Sequence, residues 1–265
     1  MMPDANPVVS VLMTAYNRQD FIASSIESVL SSTLHDFELL VVDDASSDGT
    51  VGIAREYAKK DKRISVYVNE KNLGDYPNRN KAASLARGKY LKYLDSDDII
   101  YPHGLEVMVT SMEKFPEAGY GLCSNSDPQF PYPVCISPHQ TYLEHFYGYD
   151  HFGRAPGSAI LKREAFQKVG GFSGERMIGD SDLWYRLSFE YPLVKLPRDL
   201  IWDRVHPGQE SQSEYAKKYE QLKKKVMDTM LTDKKCPLSR EEVSRIYRLQ
   251  KSLGLKKWIT QWLRN

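Results

Sequence analysis

Runs of apolar, β-branched residues alternate with helical patterns through the first half of the sequence. A continuous run at 8–14 predicts a buried strand, and apolar residues along one face of 20–31 predict a helix. The series continues with strands at 37–42 and 64–68 and helices at 50–60 and 78–86. Because parallel strands need crossover connections, this order predicts an α/β fold with a doubly wound, mostly parallel central sheet flanked by helices.

Polar clusters follow three of the apolar runs. They are Thr14–Arg18, Asp43–Ser46 and Asp95–Asp98. In open α/β sheets of this kind, ligands bind outside the carboxyl ends of the strands. We therefore expect the three clusters to line one crevice.

Three carboxylates crowd into Asp95-Ser96-Asp97-Asp98, directly after the apolar run at 90–94. Carboxylates this close repel one another unless a cation lies among them. Oxygen ligands of this type suit Mg²⁺ or Mn²⁺, particularly when a substrate phosphate completes the coordination shell. The alternative is a solvated turn in which one aspartate caps a helix that begins near Pro102.

Composition narrows the class of protein. A chain of 265 residues can bury a substantial core, and its net charge of +1 creates no field that would recruit nucleic acid. The three cysteines form no disulfide framework or metal-ligand spacing, which fits a reducing cytoplasm. The start of the chain lacks the pattern of a signal peptide, and no apolar stretch is long enough to span a bilayer. We expect a cytoplasmic protein whose membrane contact, if any, is peripheral at the inner face.

The second half of the chain is less regular. Four prolines between 126 and 138 indicate an irregular or edge segment. A strand is predicted at 157–161 and a helix at 180–189, and the chain becomes charged and helical from Ser213 onward. We expect one domain at 1–211, with a first half at 1–105 and a second at 106–211, followed by a helical extension at 212–265.

Read in order from Val8 to about Ser211, the chain resembles a family 2 glycosyltransferase with the GT-A fold. The second half would then bind the acceptor. The segments that carry the resemblance are 9–18, 41–50, Asn72-Leu73-Gly74 with Asn78-Arg79-Asn80, Asp95–Asp98, Gly170-Gly171-Phe172 and 179–184. Asn78 stands where the family usually has alanine, and Gly179 stands where it usually has glutamate.

The resemblance implies that the strand-end clusters bind a nucleotide-sugar donor, a UDP-sugar. Tyr16 would stack on the base, and Asp44 would accept a hydrogen bond from N3–H of uracil, a group that thymine and guanine can match. The alternative for Asp44 is to cap the turn at 46–49, and Asp43 could do either. The further donor-binding residues implied are Thr14, Ala15, Asn17, Arg79, Asp95, Ser96 and Arg204. For Arg79 the alternative is an ordinary surface position on a helix.

Metal ligation is also implied by the resemblance. Asp97 would hold Mn²⁺ or Mg²⁺ on the diphosphate, and Asp98 would orient its neighbours. His206 lies in the segment 203–211, which is similar to a later family motif, and it would bind the metal or the pyrophosphate from a closing loop.

Asp180 is the general base that the resemblance implies, because a neutral hydroxyl is a poor nucleophile without a carboxylate in reach. Its alternative role is to cap the helix that follows. Gly179 removes a carboxylate from the acceptor side of this site. Trp184 and Asp182 are candidates for acceptor contact, although Trp184 could equally belong to the core.

The C-terminal tail combines apolar and basic residues. At 251–264, two tryptophans share one helical face with leucine and isoleucine, and lysines and an arginine lie around them. This pattern is typical of helices that lie on membranes, but also of helices packed on their own domain or on another subunit of a homo-oligomer.

The function expected from the resemblance is inverting, metal-dependent transfer of a hexosyl or N-acetylhexosaminyl group from a UDP-sugar to a hydroxyl of a glycan or lipid-linked acceptor. The processive members' Q-x-x-R-W motif is missing, so we expect non-processive transfer. Two alternatives remain. One is a nucleotidyltransferase on a similar sheet, and the other is a non-catalytic module that binds nucleotide sugars.

Overall fold

A computed structural model of the protein describes residues 6–124, 131–207 and 218–262, with side chains to residue 252. Its ten strands, counted within these ranges, are β1 Val9–Ala15, β2 Phe37–Asp43, β3 Ile64–Val68, β4 Tyr90–Tyr93, β5 Ile99–Ile100, β6 Tyr120–Cys123, β7 Val134–Ile136, β8 Ala159–Lys162, β9 Leu193–Leu196 and β10 Ile201–Trp202. The α-helices are α1 Ile22–Leu30, α2 Thr50–Lys60, α3 Asp75–Leu85, α4 Gly104–Glu113, α5 Pro138–Glu144, α6 Arg163–Lys168, α7 Gly179–Glu190, α8 Tyr219–Thr232 and α9 Arg240–Trp262.

Eight of these strands form one central sheet in the order β3-β2-β1-β4-β8-β6-β9-β7, and β5 pairs with β10 separately. The pairs β1–β2, β2–β3 and β1–β4 are parallel, as the alternating pattern of the first half predicts. β8 runs antiparallel to both β4 and β6, which makes the sheet mixed. Antiparallel neighbours need no crossover helix. The prediction of parallel strands rests on alternating strands and helices, and this alternation is lost around β8.

The helices cover both faces of the sheet. Along β1, Val9, Val11 and Met13 pack with α1, α2 and α4 on one face, whereas Leu12 faces the cluster that includes α3, α6 and α7. This alternation follows from the two-residue repeat of a strand. The strands β1 and β2 are buried on both faces, which is why they read as continuous apolar runs.

The C-terminal helices pack on the same core as α7. Val226, Met230, Leu231 and Ile246 are buried in the cluster that also holds Trp184. The tail at 251–264, predicted to be helical, continues α9 as far as Trp262. The side chains of 253–265 lie outside the described part of the chain. Within the described residues, no helix is both long enough and apolar enough to cross a membrane.

The start of α3 differs from the sequence prediction, which placed it near Asn78. The helix begins at Asp75, directly after Gly74, whose φ of +87° suits glycine. Pro77 falls in the first turn, where a missing backbone N–H costs no helical hydrogen bond. The earlier start brings Asp75 and Tyr76 into ordered positions beside the crevice.

Candidate active site

The three polar clusters lie together at the carboxyl ends of the parallel strands. Ala15, the last residue of β1, is paired with Asp43, the last residue of β2. β4 flanks β1 on its other side and leads directly into Asp95–Asp98. The topology therefore brings the clusters to one edge of the sheet, as expected.

The loop after β1 is tied to the loop after β2 by hydrogen bonds. Asn17 has a φ of 52°, and its backbone N–H donates to Oγ of Ser46 at 2.8 Å. Its side-chain oxygen accepts from the backbone N–H of Ser47 at 2.9 Å. Tyr16 is 48% exposed at this point, so its ring is available for stacking. Ala15 and Ser96, also predicted to meet the donor, are almost fully buried, as is Asp44.

Asp43 and Asp44 divide the two roles that the sequence leaves open. Both oxygens of Asp43 accept hydrogen bonds from Ser46, from its N–H at 2.8 Å and from its hydroxyl at 2.5 Å. Asp44 instead holds the loop at 72–74, since its carboxylate accepts from the backbone N–H groups of Leu73 at 2.8 Å and Gly74 at 2.9 Å. The turn is therefore capped by Asp43 and not by Asp44.

The acidic cluster brings three carboxylates within metal-binding reach. Asp95, Asp97 and Asp98 each offer an oxygen atom, and these atoms lie within 4.8 Å of one another. Burial, together with the charges of Asp95 and Asp97, raises the pKa of Asp98 to about 7. An oxygen-only donor set that costs this much to ionise fits a hard divalent cation such as Mg²⁺ or Mn²⁺.

Asp97 has two cationic or potentially cationic neighbours. Its Oδ2 accepts from Nε of Arg18 at 2.9 Å and lies 2.9 Å from Nε2 of His206. The imidazole also packs on the ring of Phe21, with 4.6 Å between the ring centroids. The structure thus places both predicted metal ligands side by side. The rest of the segment that contains His206, at 208–211, lies outside the described residues.

Arg204, for which the sequence predicts contact with the donor, braces the acidic turn. Its Nε donates to the backbone oxygen of Asp97 at 2.7 Å, and its own N–H donates to Asp98 at 3.0 Å. A further donor reaches Oγ of Ser24 at 3.2 Å. The guanidinium also lies over the rings of Phe21 and Trp202. These contacts tie the segment after β10 to the acidic cluster, and the contact of Arg204 with the donor stays a prediction.

Arg79 is not an ordinary surface arginine, because it is only 6% exposed. It pairs with Asp75 at 2.7 Å and with Asp95 at 2.7 Å. Burial alone would lower the pKa of Arg79, but the two carboxylates raise it above its ordinary value. Its Nη1 is buried without a hydrogen-bond partner among the described residues. A buried donor of this kind is costly unless a ligand satisfies it, and a phosphate or sugar oxygen would do so.

Lys92 is a site residue that is absent from the predicted set. It is fully buried in β4, where its ammonium donates to the backbone oxygens of Tyr93, at 2.7 Å, and Gly157. Burial lowers its pKa to about 8, although nearby Asp95, Asp98 and Asp203 oppose the shift. The sequence signal that could have found it is a lysine within an otherwise apolar central strand, because a buried charge needs a partner. It places a positive charge beneath the acidic cluster.

Asp180 lies at the start of α7, one residue after Gly179. It is not the N-cap, since that position is Ile178. Its Oδ1 accepts from the backbone N–H of Ser181 at 2.7 Å, and burial raises its pKa to about 6. Arg79 lowers this pKa and Asp75 raises it, so the carboxylate lies within the electrostatic reach of the donor side. A carboxylate with a pKa near 6 is ionised, yet still basic, at neutral pH.

The two residues predicted to contact the acceptor both have partners within the protein. Trp184 is fully buried, stacks on Tyr120 with 6.0 Å between ring centroids, and donates to the backbone oxygen of Arg154. Asp182 binds the guanidinium of Arg186 at 2.6 Å, which in turn binds the backbone oxygens of Val169 and Gly171. Both residues therefore hold α7 in place, because side chains on the inner face of a helix serve packing before they can serve a ligand.

The sequence matches Glycosyl transferase family 2 over residues 10–170, more than half of the chain. TuaG of Bacillus subtilis, provisionally named for teichuronic acid biosynthesis, is 39% identical over 125 residues, which are 46% of this chain and 50% of TuaG. EpsE of the same organism is 30% identical over 69% of this chain and 67% of its own length. An uncharacterised glycosyltransferase of Methanocaldococcus jannaschii is 44% identical over 40% of this chain. The protein belongs to glycosyltransferase family 2.

The fold is that of the GT-A glycosyltransferases. Residues 1–349 of TarS from S. aureus, solved in complex with UDP-GlcNAc, superpose with a TM-score of 0.71 at 18% identity, over 90% of this chain and 70% of that one. The mannosyltransferase PcManGT from Pyrobaculum calidifontis, solved with GDP-Man and Mn²⁺, gives a TM-score of 0.58 at 17% identity, over 98% and 84% of the two chains. The matched regions span 38% of the archaeal relative and 50% of TuaG.

Proposed function

We propose that this protein transfers a sugar from a UDP-sugar to a hydroxyl of a glycan or lipid-linked acceptor, with inversion at the anomeric carbon and without processive elongation. The observation that carries the proposal is the position of Arg79. This buried residue binds Asp95 of the acidic cluster and reaches Asp180 electrostatically, so the donor side and the base adjoin one crevice. The finding that TarS was solved with UDP-GlcNAc supports the choice of a uridine nucleotide.

Each residue has a defined part in the proposed reaction. Tyr16 stacks on the uracil. Asp44 accepts a hydrogen bond from N3–H of the uracil through Oδ2, which has a second lone pair besides the one that binds the N–H of Gly74. Asp97, Asp95 and His206 would hold Mn²⁺ or Mg²⁺, which when bound supplies positive charge to the diphosphate. Arg79 donates its unsatisfied Nη1 to an oxygen of the donor.

Transfer then requires one proton movement and one displacement. The acceptor hydroxyl oxygen bonds to the anomeric carbon while the bond from that carbon to the diphosphate oxygen breaks. The hydroxyl proton passes to the carboxylate of Asp180, and the electron pair of the broken bond leaves with UDP. Because the attack comes from the face opposite the leaving group, an α-linked donor yields a β-linked product.

The donor site is tested by calorimetric binding of UDP with and without Mn²⁺, to the wild type and to Asp97→Ala. We expect Mn²⁺-dependent binding that the substitution abolishes. Asp36→Ala is the matched control, because Asp36 is exposed just before β2, at the opposite end of the strand from the site. GDP and dTDP are measured in parallel. If one of them binds and UDP does not, the assignment of the base is wrong.

The enzyme is separated from its two alternatives by Asp180→Asn. This variant should keep metal-dependent UDP binding and lose transfer from UDP-sugars, with Asp36→Asn as control. A non-catalytic module would transfer nothing even as the wild type. A nucleotidyltransferase would instead release pyrophosphate from a nucleoside triphosphate and a sugar phosphate.

A further inference from the structure

The first residue of α7, Gly179, leaves no room for a side chain. A Cβ atom built there would lie 2.7 Å from Cε2 of Tyr76 and 2.8 Å from its Cδ2. Real Cβ atoms do not approach other carbons so closely. The ring of Tyr76 therefore packs directly against the backbone that leads into Asp180.

Tyr76 is fixed in this position from several sides. It is 5% exposed, and its ring stacks on Phe172 with 5.0 Å between the centroids. Phe172 is in turn held by Asn80 of the same helix as Tyr76, through bonds of 2.9 and 3.0 Å to its backbone oxygen and N–H. The backbone N–H of Asp180 donates to the hydroxyl oxygen of Tyr76 at 3.3 Å. Such packing leaves the ring little freedom to move aside.

The helix that carries Tyr76 also carries the donor-side arginine. Asp75 precedes Tyr76, and Arg79 follows it by three residues and pairs with Asp95 of the acidic cluster. One face of α3 thus contacts the acidic cluster, while Tyr76 contacts the start of α7. The separation between donor side and base is set through this helix.

We propose that Tyr76 and Gly179 form a matched pair that positions the general base, Asp180, against the donor. This inference rests on the proposed function, because it assigns Tyr76 a part in setting the rate of sugar transfer. Tyr76 is a positioning residue and not a catalytic one. Its effect should appear in kcat, and not in the binding of the nucleotide.

Burial and the nearby charge of Asp180 raise the pKa of the Tyr76 phenol far above its ordinary value. The group therefore stays neutral at every working pH. Its oxygen accepts from the backbone N–H of Asp180. The chain thus places a neutral hydroxyl beside its base, with the ring as a spacer.

The test compares a single variant with two double variants, by UDP-sugar turnover and by calorimetric UDP binding. Gly179→Ala should lower kcat about 100-fold, since a displacement near 1 Å costs this much, and leave the donor KM and the Kd of UDP within about twofold. Tyr76→Ser in the Gly179→Ala background makes room for the new methyl group and should recover at least about tenfold of the loss. Tyr76→Phe keeps the ring and should give no recovery.

Gly52→Ala is the matched control, because a Cβ at Gly52 meets no atom within 4 Å. Full kcat in Gly179→Ala would overturn this inference while leaving the proposed function intact. A loss that the serine does not relieve, or one that follows weakened UDP binding, would also overturn it. A wild type that transfers sugar from no donor would refute the proposed function, and this inference with it.

Discussion

Nε of Arg18 lies 2.9 Å from Oδ2 of Asp97, so the central carboxylate of the acidic cluster already has a cationic partner within the protein. The pair is partly screened from solvent, with side-chain exposures of 25% for Arg18 and 12% for Asp97. An arginine at this oxygen offsets the mutual repulsion of the aspartates. It also stands at an atom that a metal ion would need.

Arg18→Gln should therefore strengthen the binding of Mn²⁺ in the absence of nucleotide. We expect the apparent Kd to fall about threefold to tenfold, because one competing charge is removed at short range. Calorimetric titration with Mn²⁺ measures this, with Arg55→Gln on the exposed face of α2 as control. Unchanged or weaker Mn²⁺ binding would show that Arg18 supports the site and does not compete for it.

The rate of sugar transfer should depend on pH through Asp180. The base must be ionised to accept a proton, and its pKa is raised to about 6. We expect log(kcat/KM) to fall with a slope of about one per pH unit below pH 6 and to level off above it. Saturating Mn²⁺ is needed, since protonation of Asp98 would otherwise contribute. A profile that stays flat down to pH 4.5 would exclude Asp180 as the base.

The same raised pKa predicts that Asp180→Asn stabilises the fold at neutral pH. The folded-state pKa of about 6 exceeds the ordinary value of 3.8, so the folded state binds the proton more tightly and its stability falls as pH rises through this window. Asparagine removes the buried charge, for a gain on the order of 1–2 kcal/mol at pH 7.5. Urea unfolding at pH 7.5 and pH 4 tests this, since the gain should largely vanish at pH 4. Destabilisation at pH 7.5 would contradict it.

Much of the first half of the fold could be predicted because its strands are buried on both faces and its crossovers are short. Each parallel strand therefore reads as a continuous apolar run, and the polar residues mark where it ends. β8 could not be placed in this way, because a four-residue strand between β4 and β6 carries no signal of its neighbours. Only the assembled sheet shows that it runs against both.

The location of the site could be predicted more easily than the contacts that each of its side chains makes. Whether Asp43 or Asp44 caps the turn depends on the backbone at Ala45, whose φ of 64° turns the chain so that Asp43 faces Ser46. Arg204 and Trp184 stand in motif-like segments, yet their side chains meet the turn and the core. The direction in which each of these side chains points depends on long-range packing, which motif spacing does not encode.

Close packing at Gly88 stabilises the end of the sheet opposite the site. Gly88 is buried where a Cβ would lie 2.5 Å from the backbone nitrogen of Ser10, and the N–H of Gly88 donates to Oγ of Ser10 at 2.8 Å. That hydroxyl in turn donates to buried Glu38 at 2.6 Å, so any shift also strains a buried hydrogen bond to a carboxylate. Gly88→Ala should therefore lower the free energy of unfolding, measured by urea titration, by about 2–3 kcal/mol. Gly52→Ala, exposed in the first turn of α2, should instead add up to about 0.5–1 kcal/mol through helix propensity. Metal-dependent UDP binding should be unchanged in both variants at 15 °C, because neither contacts the crevice. Equal stability effects would show that the backbone at Ser10 yields easily to the added methyl group.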